Sequence, residues 1–424
     1  QKVLVVGGGV AGMEAALGLA DQGIPVFLVE RSEVLGGVAH KLLTTWQGEA
    51  VKPYLETLIE KVREHENIRV FIKTEPVETT GIMGNFTSTL MTSGETLTQT
   101  VVEHGATIIA TGGKEYRPTE YLYGQNPNVL THFDMDAAMA SDDERIAKAE
   151  SIAFIQCVGS RTPERPYCSR LCCTHSLKSA LNLKERNPDM NVYIIYRDIR
   201  SYGFREELYK TAREKGVIFM RYNLEDNMPD VSTAVNGRLS VKLRDHVLQM
   251  PVELNLDLLV LATAILPNEN KDLFELFKVP TNADGFLVEA HAKLRPVDFG
   301  SEGIFMAGLA HYPKPLEESI AQARASVSRA MTILSRDAIM VGGVVAVVDP
   351  DKCAVCNTCV RTCPYHIPYI GEEGHAVIEA AECHGCGCCV SECPGKAIEL
   401  KHFTDEQLIA KTAALFQKNK VEAA

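Results

Sequence analysis

Eight cysteines near the C-terminal end of the chain stand in two matching runs. Residues 353–364 read CAVCNTCVRTCP and residues 383–394 read CHGCGCCVSECP. Each contains Cys-x2-Cys-x2-Cys-x3-Cys-Pro. This spacing suits a pair of 4Fe–4S cubes: three thiolates on one tight loop hold three corners, and the fourth, just before a proline, reaches across to the other cube. The expected ligand sets are Cys353, Cys356, Cys359 and Cys393 for one cluster, and Cys383, Cys386, Cys389 and Cys363 for the other. Cys388 is left over. Zinc is the main rival, because Cys-x2-Cys pairs also bind it, but zinc needs neither the third and fourth cysteines nor both prolines. Clusters of this kind move single electrons, so the rest of the chain must supply or accept them.

A length of 424 residues allows two or three domains with real cores. The net charge of −12 argues against nucleic acid or an anionic membrane as the main partner. Of thirteen cysteines, eight stand in cluster spacing and most of the rest in one other group, which fits a reducing cytosol better than a disulfide framework. No stretch approaches a membrane span and no signal peptide is visible, so a cytoplasmic protein is expected. The chain starts at Gln1.

The first 30 residues carry a second chemical signature. VLVV (3–6) is a short apolar strand running into GGGVAG, which holds Gly7-x-Gly9-x-x-Gly12 and opens a helical pattern. A second apolar run ends at Glu30. Glycines at these positions permit a tight turn and close approach of backbone to a pyrophosphate, the helix start faces the negative charge, and the acid accepts a ribose hydroxyl. Either FAD or NAD could occupy such a seat.

Further stretches favour FAD. Glu30-Arg31 is followed by Gly36-Gly37-Val38, a turn that resembles those of flavoproteins with two dinucleotide-binding domains. ATIIATGG (106–113), with Ala110, Thr111 and Gly112, resembles the strand and turn that close the flavin domain in those enzymes. GIFMAGLAHYPKPLEESIAQARASVSRAM (303–331) supplies a strand, Gly308, a loop and a long helix starting near Pro315. In such enzymes that helix points its positive end at the flavin, where it stabilises negative charge. Lys314 would add a full positive charge there, as a candidate catalytic group, or would be a solvated loop lysine. Leu309 stands where an acid is usual. With Val10, Ala11 and Val77, these residues make up the expected FAD seat.

Between the two flavin segments, SIAFIQCV (151–158), NVYIIYR (191–197) and GVIFMR (216–221) alternate with helical stretches. The turn after the first of these strands has no Gly-x-Gly-x-x-Gly, so a second pyrophosphate has no usual cradle. Cysteines stand there instead: Cys157, Cys168, Cys172 and Cys173, four thiols within 17 residues. They suggest a third iron–sulfur site; a redox disulfide and zinc remain as alternatives. His175 reads as structural or solvent-facing. Residues 222–257 read as a β-meander and DLLVLATA (257–264) as a strand returning to the flavin domain.

The expected fold is therefore α/β, a thioredoxin reductase-like flavoprotein followed by an α+β two-cluster ferredoxin domain. The segments are 1–150 and 258–337 for the FAD-binding domain, 151–257 for the second Rossmann-like domain, and 338–402 for the ferredoxin domain, entered by a strand within 338–348. Residues 403–424 form an amphipathic helix whose face of Leu408, Ile409, Leu415 and Phe416 is expected to pack on the body; docking of another redox protein on that face is the rival reading. The ferredoxin segment carries eight acids against four bases, a balance that favours low cluster potentials.

FIQCVGSR, YCSRLCC and IIYRDIRSYG, combined with a flavin fold and a terminal two-cluster ferredoxin, resemble the A-type subunits of heterodisulfide reductases over nearly the whole chain. The resemblance implies FAD and a 4Fe–4S cluster at Cys157, Cys168, Cys172 and Cys173. It also implies an electron-transfer subunit, dimeric within a larger complex, that uses flavin-based electron bifurcation or confurcation. Implied partners are subunits like heterodisulfide reductase B and C, hydrogenase- or dehydrogenase-type modules, and soluble ferredoxin. The chain departs from the family in lacking an extra N-terminal cysteine-bearing domain, cysteines after the Gly-Gly turn and an inserted second ferredoxin, so the terminal acceptor need not be a heterodisulfide. A stand-alone NAD(P)H:ferredoxin-type oxidoreductase is the alternative.

Overall fold

The structure, a computed structural model, describes residues 1–94, 96–225, 227–235, 237–338 and 342–416. Two five-stranded parallel sheets form its body. The first runs in the order Ile304–Met306, Ala106–Ile109, Val3–Val6, Val26–Val29, Ile68–Phe71. VLVV and ATII are buried at every position, as expected of central parallel strands covered on both faces. Helices Val10–Ala20, Val51–Glu64 and Leu316–Leu334 cover one face through Met13, Leu55, Ala323 and Val327. The antiparallel sheet Thr74–Ile82, Asn85–Thr92, Thr98–His104 covers the other, with Phe86 and Leu90 packed on Leu4 and Ile109.

The second sheet runs Ile218–Arg221, Asn191–Tyr196, Ser151–Val158, Leu258–Thr263, Val129–Thr131. Its order moves two boundaries. Residues 129–149 belong to this layer, because Val129–Thr131 adds to its edge and Met135, Ala138 and Ile146 fill its core. Leu258–Thr263 lies beside Ser151–Val158 in the same sheet rather than returning to the first. The chain crosses between layers on two antiparallel strands, Gly113–Glu115 and Ile265–Pro267. The meander is present as Asp230–Thr233, Leu239–Arg244, Pro251–Leu256.

The terminal domain pairs Ala346–Val348 with Ile398–Leu400 and Tyr369–Ile370 with Ala376–Val377, around short helices Thr358–Thr362 and Cys388–Glu392. It meets the body where Lys278 Nζ donates to the His366 carbonyl at 3.3 Å. Residues 339–341, inside the stretch read as its entering strand, lie outside the described residues. The terminal helix spans Asp405–Phe416, and residues 417–424 of the stretch read as helical lie outside the described residues. None of its described residues is buried, and Ile409, Leu415 and Phe416 are 69%, 82% and 83% exposed. The expected packing of this face on the body is therefore not what forms. Among the described residues, no helix is long and apolar enough to cross a membrane.

Candidate functional site

Gly7 adopts φ +115°, and a Cβ there would lie 2.2 Å from the Ala110 carbonyl oxygen. A Cβ on Gly12 would lie 1.8 Å from the Gly7 carbonyl oxygen, whereas one on Gly9 would meet nothing within 4 Å. Gly7 and Gly12 thus let strand, turn and helix touch, and Gly9 leaves the turn open. The helix that follows has no side-chain cap at Gly9, so its first-turn N–H groups stay available to an anion. Glu30 closes the next strand; its Oε2 accepts the Gly8 N–H at 2.7 Å and its Oε1 accepts the Ser32 N–H at 2.8 Å.

These elements open on a cavity of about 1110 Å³. Every residue expected to seat the cofactor lines it except Gly12, which stands behind the turn: Gly7, Gly9, Val10, Ala11, Glu30, Arg31, Gly36, Gly37, Val38, Val77, Ala110, Thr111, Gly112, Gly308, Leu309, Lys314 and Pro315. Three buried polar atoms on lining residues, Thr111 Oγ1, Asn270 Nδ2 and Arg205 Nε, have no hydrogen-bond partner in the protein. Buried polar groups are normally satisfied, so the chamber is matched to a large guest that is itself polar. An FAD-sized dinucleotide meets both requirements.

Lys314 departs from expectation. It is 7% exposed, and its Nζ donates to the carbonyls of Gly308 at 2.6 Å and Tyr312 at 2.9 Å. Burial, reinforced by the nearby Arg170 charge, lowers its pKa to about 7. It holds the loop before the helix Leu316–Leu334, and is neither a permanent free charge nor a solvated lysine. At that helix start, Glu317 and Glu318 pair with Arg205, and Glu318 also pairs with Arg170, so two arginines of the second layer neutralise acids at the edge of the first.

The cavity continues to the second layer, where Cys172, Thr174, His175, Lys178, Ser179 and Asn182 line it from one helix, Cys172–Arg186. Positions 175, 178, 179 and 182 recur at helical spacing, a polar stripe legible in CCTHSLKSALN but not recognised as cavity-lining. His175 is neither solvent-facing nor isolated. Its Nε2 lies 3.0 Å from Asp136 Oδ1, and its ring stacks on His132 at 4.3 Å. Asp136 also accepts the Leu43 N–H, which ties the two layers together across the cavity. His132, Asp136, Trp46 and Arg205 carried no motif that could have placed them here.

Cys157, next to last in the strand Ser151–Val158, adopts φ +62°, with Arg161 and Arg170 also left-handed, an unusual density of strained non-glycine backbone within 14 residues. Cys172 is buried, and burial together with the neighbouring Cys157, Cys173 and Cys168 holds its thiol well above the usual range. Arg170 N donates to Cys168 Sγ at 3.4 Å, and Arg161 Nη1 lies 3.9 Å from Cys157 Sγ. All four thiols are free and converge on one region. In the terminal domain, Cys353, Cys356, Cys359 and Cys393 line one small cavity. Cys389 is pushed up to about 12 by burial and by Cys383, Cys363 and Cys386, which places those four together. Ala376 N donates to Cys353 Sγ and Ala346 N to Cys383 Sγ, amide contacts of the kind that tune cluster potentials. Among the described residues, no three His, Cys, Asp or Glu side chains converge tightly enough to hold a single metal ion. The donor sets are soft thiols, the chemistry of iron–sulfur ligation.

Residues 1–155 match the pyridine nucleotide-disulphide oxidoreductase family, and residues 346–394 match the 4Fe-4S dicluster domain. The A-type subunit of the H(2):CoB-CoM heterodisulfide,ferredoxin reductase of Methanothermobacter marburgensis is 32% identical, over 98% of this chain and 76% of the relative. The A-type iron-sulfur subunit of the CoB--CoM heterodisulfide reductase of Methanocaldococcus jannaschii is 30% identical, over 97% and 76%. Both alignments exceed 500 positions, so the relatives carry segments that this 424-residue chain lacks. Thioredoxin reductases from T. acidophilum (TM-score 0.50, 14% identity, 78% of this chain and 97% of that one) and Lactococcus lactis (TM-score 0.52, 15% identity, 79% and 99%) share the fold of the body. The cofactors are FAD and 4Fe–4S clusters, and the activity is that of an oxidoreductase that transfers electrons. The chain belongs to the family of heterodisulfide reductase A-type subunits.

Proposed function

We propose that this chain is the flavin-bearing relay of a multi-subunit oxidoreductase, and that the single observation carrying this reading is the continuity of one cavity from the glycine turn to Cys172. FAD, when bound, supplies the exchange between paired and single electrons that iron–sulfur clusters cannot perform alone. In this reading Gly7, Gly9 and the uncapped helix start receive the pyrophosphate, Glu30 takes a ribose hydroxyl, and the 303–331 segment walls the other end. Cys157, Cys168, Cys172 and Cys173 hold a third 4Fe–4S cluster against the flavin chamber. Cys353, Cys356, Cys359 with Cys393, and Cys383, Cys386, Cys389 with Cys363, hold the two terminal clusters. The partners are further redox subunits and a soluble ferredoxin, and the chemistry extends to bifurcation, as the relative's printed name, joining a heterodisulfide and ferredoxin, suggests.

Nicotinamide is given no seat in the second layer. A Cβ on Gly159, in the turn where a second fingerprint would begin, would lie 2.2 Å from the Tyr116 ring, so that turn is filled by protein. Anaerobic preparation of Cys172→Ser should lose about four of about twelve iron atoms per FAD. Undiminished iron would refute the third cluster. Assay of the chain co-purified with its native neighbours should show a high- and a low-potential acceptor reduced in equal electron amounts; reduction of only one would remove bifurcation.

A further inference from the structure

The C-terminal ends of the second sheet carry a basic patch on an otherwise acidic chain. Asp198 Oδ2 pairs with Arg161 Nη2 at 2.7 Å and with Arg200 at 3.6 Å, while its Oδ1 lies 3.8 Å from Arg221. Arg197 Nη1 donates to the Arg161 carbonyl at 2.7 Å, and Arg221 Nε to the Arg197 carbonyl at 3.2 Å. Three arginines thus share one acid and Arg197 stands beside them, so the four basic groups outnumber Asp198 by three in a chain of net charge −12. The same residues sit on the thiol quartet. Arg161 reaches Cys157, and the Asp198 carbonyl lies 3.6 Å from Cys173 Sγ. The loop that follows Arg200 presents Phe204 at 86% exposure, with Tyr202 at 43%. Of the acids that follow, Glu206 is tied to Ser201 Oγ at 2.8 Å and Glu207 pairs with Lys210.

We propose that Arg161, Arg197, Arg200, Arg221 and Phe204 form the docking surface for a small acidic electron-carrier protein, set directly over Cys157 and Cys173. The proposal rests on the reading of those thiols as a redox centre. Three features select the occupant. Arginine and an exposed aromatic are the residue types enriched at protein interfaces. Complementary charge raises encounter rates and orients the partner. The eight acids of the terminal domain repel the same carrier from the chain's other end. Charge balance for the quartet alone does not account for the patch, since Arg161 reaches a thiol whereas Arg200 and Arg221 extend to solvent at 48% and 56% exposure.

The test compares the FAD- and iron-loaded wild type with the double variant Arg200→Glu, Arg221→Glu. Affinity for a soluble acidic 2[4Fe–4S] ferredoxin is measured with both proteins oxidised, across ionic strength. The variant is expected to bind at least about tenfold more weakly at low salt and to lose most of the salt dependence, with flavin and iron content unchanged. Phe204→Ala is expected to weaken binding by a factor that salt does not alter. Equal affinity in wild type and double variant would overturn the proposal. So would wild-type binding of 2′,5′-ADP that the variant loses while ferredoxin affinity stays the same, which would make the patch a nucleotide-phosphate site. Because binding between oxidised partners needs no electron transfer, an affinity loss in protein lacking the quartet's iron would uphold the docking surface and sink the third cluster alone.

Discussion

Replacing Gly12 with alanine is expected to give a chain that no longer retains FAD through desalting, a loss of affinity of about a hundredfold or more. The added Cβ would lie 1.8 Å from the Gly7 carbonyl oxygen, a backbone atom that cannot swing aside. Gly7 is itself wedged against Ala110, whose N–H bonds to the Val6 carbonyl at 2.8 Å. Relief therefore requires the helix Val10–Ala20 to back away from the sheet, which disturbs Met13, Ala15 and Ala16 in the core and withdraws the helix start from the pyrophosphate position. Overpacking of this kind costs about 1–3 kcal/mol before any ligand contact is lost. Gly9→Ala is the control: its Cβ points into open space, so the fold should be untouched and FAD weakened only by the methyl projecting into the cavity. FAD released by acid precipitation and measured by its fluorescence per unit protein checks both, with circular dichroism for the fold. Stoichiometric flavin in Gly12→Ala would mean that the turn is not the seat.

The second large effect is a pH dependence set by Lys314. Its folded pKa, about 7, lies below the value of 10.5 for a free lysine. Between those limits the unfolded chain holds a proton that the folded chain does not, so stability rises with pH across the window, and the penalty is complete below pH 7. The slope is about 1.4 kcal/mol per pH unit, so on the order of 3 kcal/mol separates pH 7 from pH 9. Cys172 and Cys173, whose thiols are raised by burial, pull the opposite way when not ligated, so the raw curve is not the readout. The readout is the difference between wild type and Lys314→Met in urea midpoint, followed through Trp46, the single tryptophan. That difference is expected to favour the variant at pH 7 and to shrink steadily by pH 9. A difference that does not change with pH would place the lysine charge in water.

What could be read from the sequence follows from what each kind of signal encodes. The grouping of Cys353, Cys356 and Cys359 with the distant Cys393 around one small cavity was legible, because cysteine spacing is a local property. The glycine turn that lines the cavity was legible because Gly7 is read through a backbone conformation that few residue types can satisfy. Edge strands were harder. Val129–Thr131 has three residues and no periodicity, and its place in the second sheet is decided by Leu259 and Leu261 far along the chain. The terminal helix was misjudged because an apolar stripe states a need for cover without stating who provides it. The far half of the cavity, with Trp46, His132, Asp136 and Arg205, is assembled from three separated segments, and only tertiary packing brings them together.

The ion pairs at the start of the helix Leu316–Leu334 have a further effect. Glu317 lines the flavin chamber from the first layer with Glu318 next to it in the chain, and the cations that quiet them, Arg205 and Arg170, are carried by the second. A twist between the two halves that drew those cations away would bare the negative charge of Glu317 at the chamber wall and make an electron there easier to give up. Mechanical displacement in one half would thus register as voltage in the other, without any bond to the flavin being made or broken.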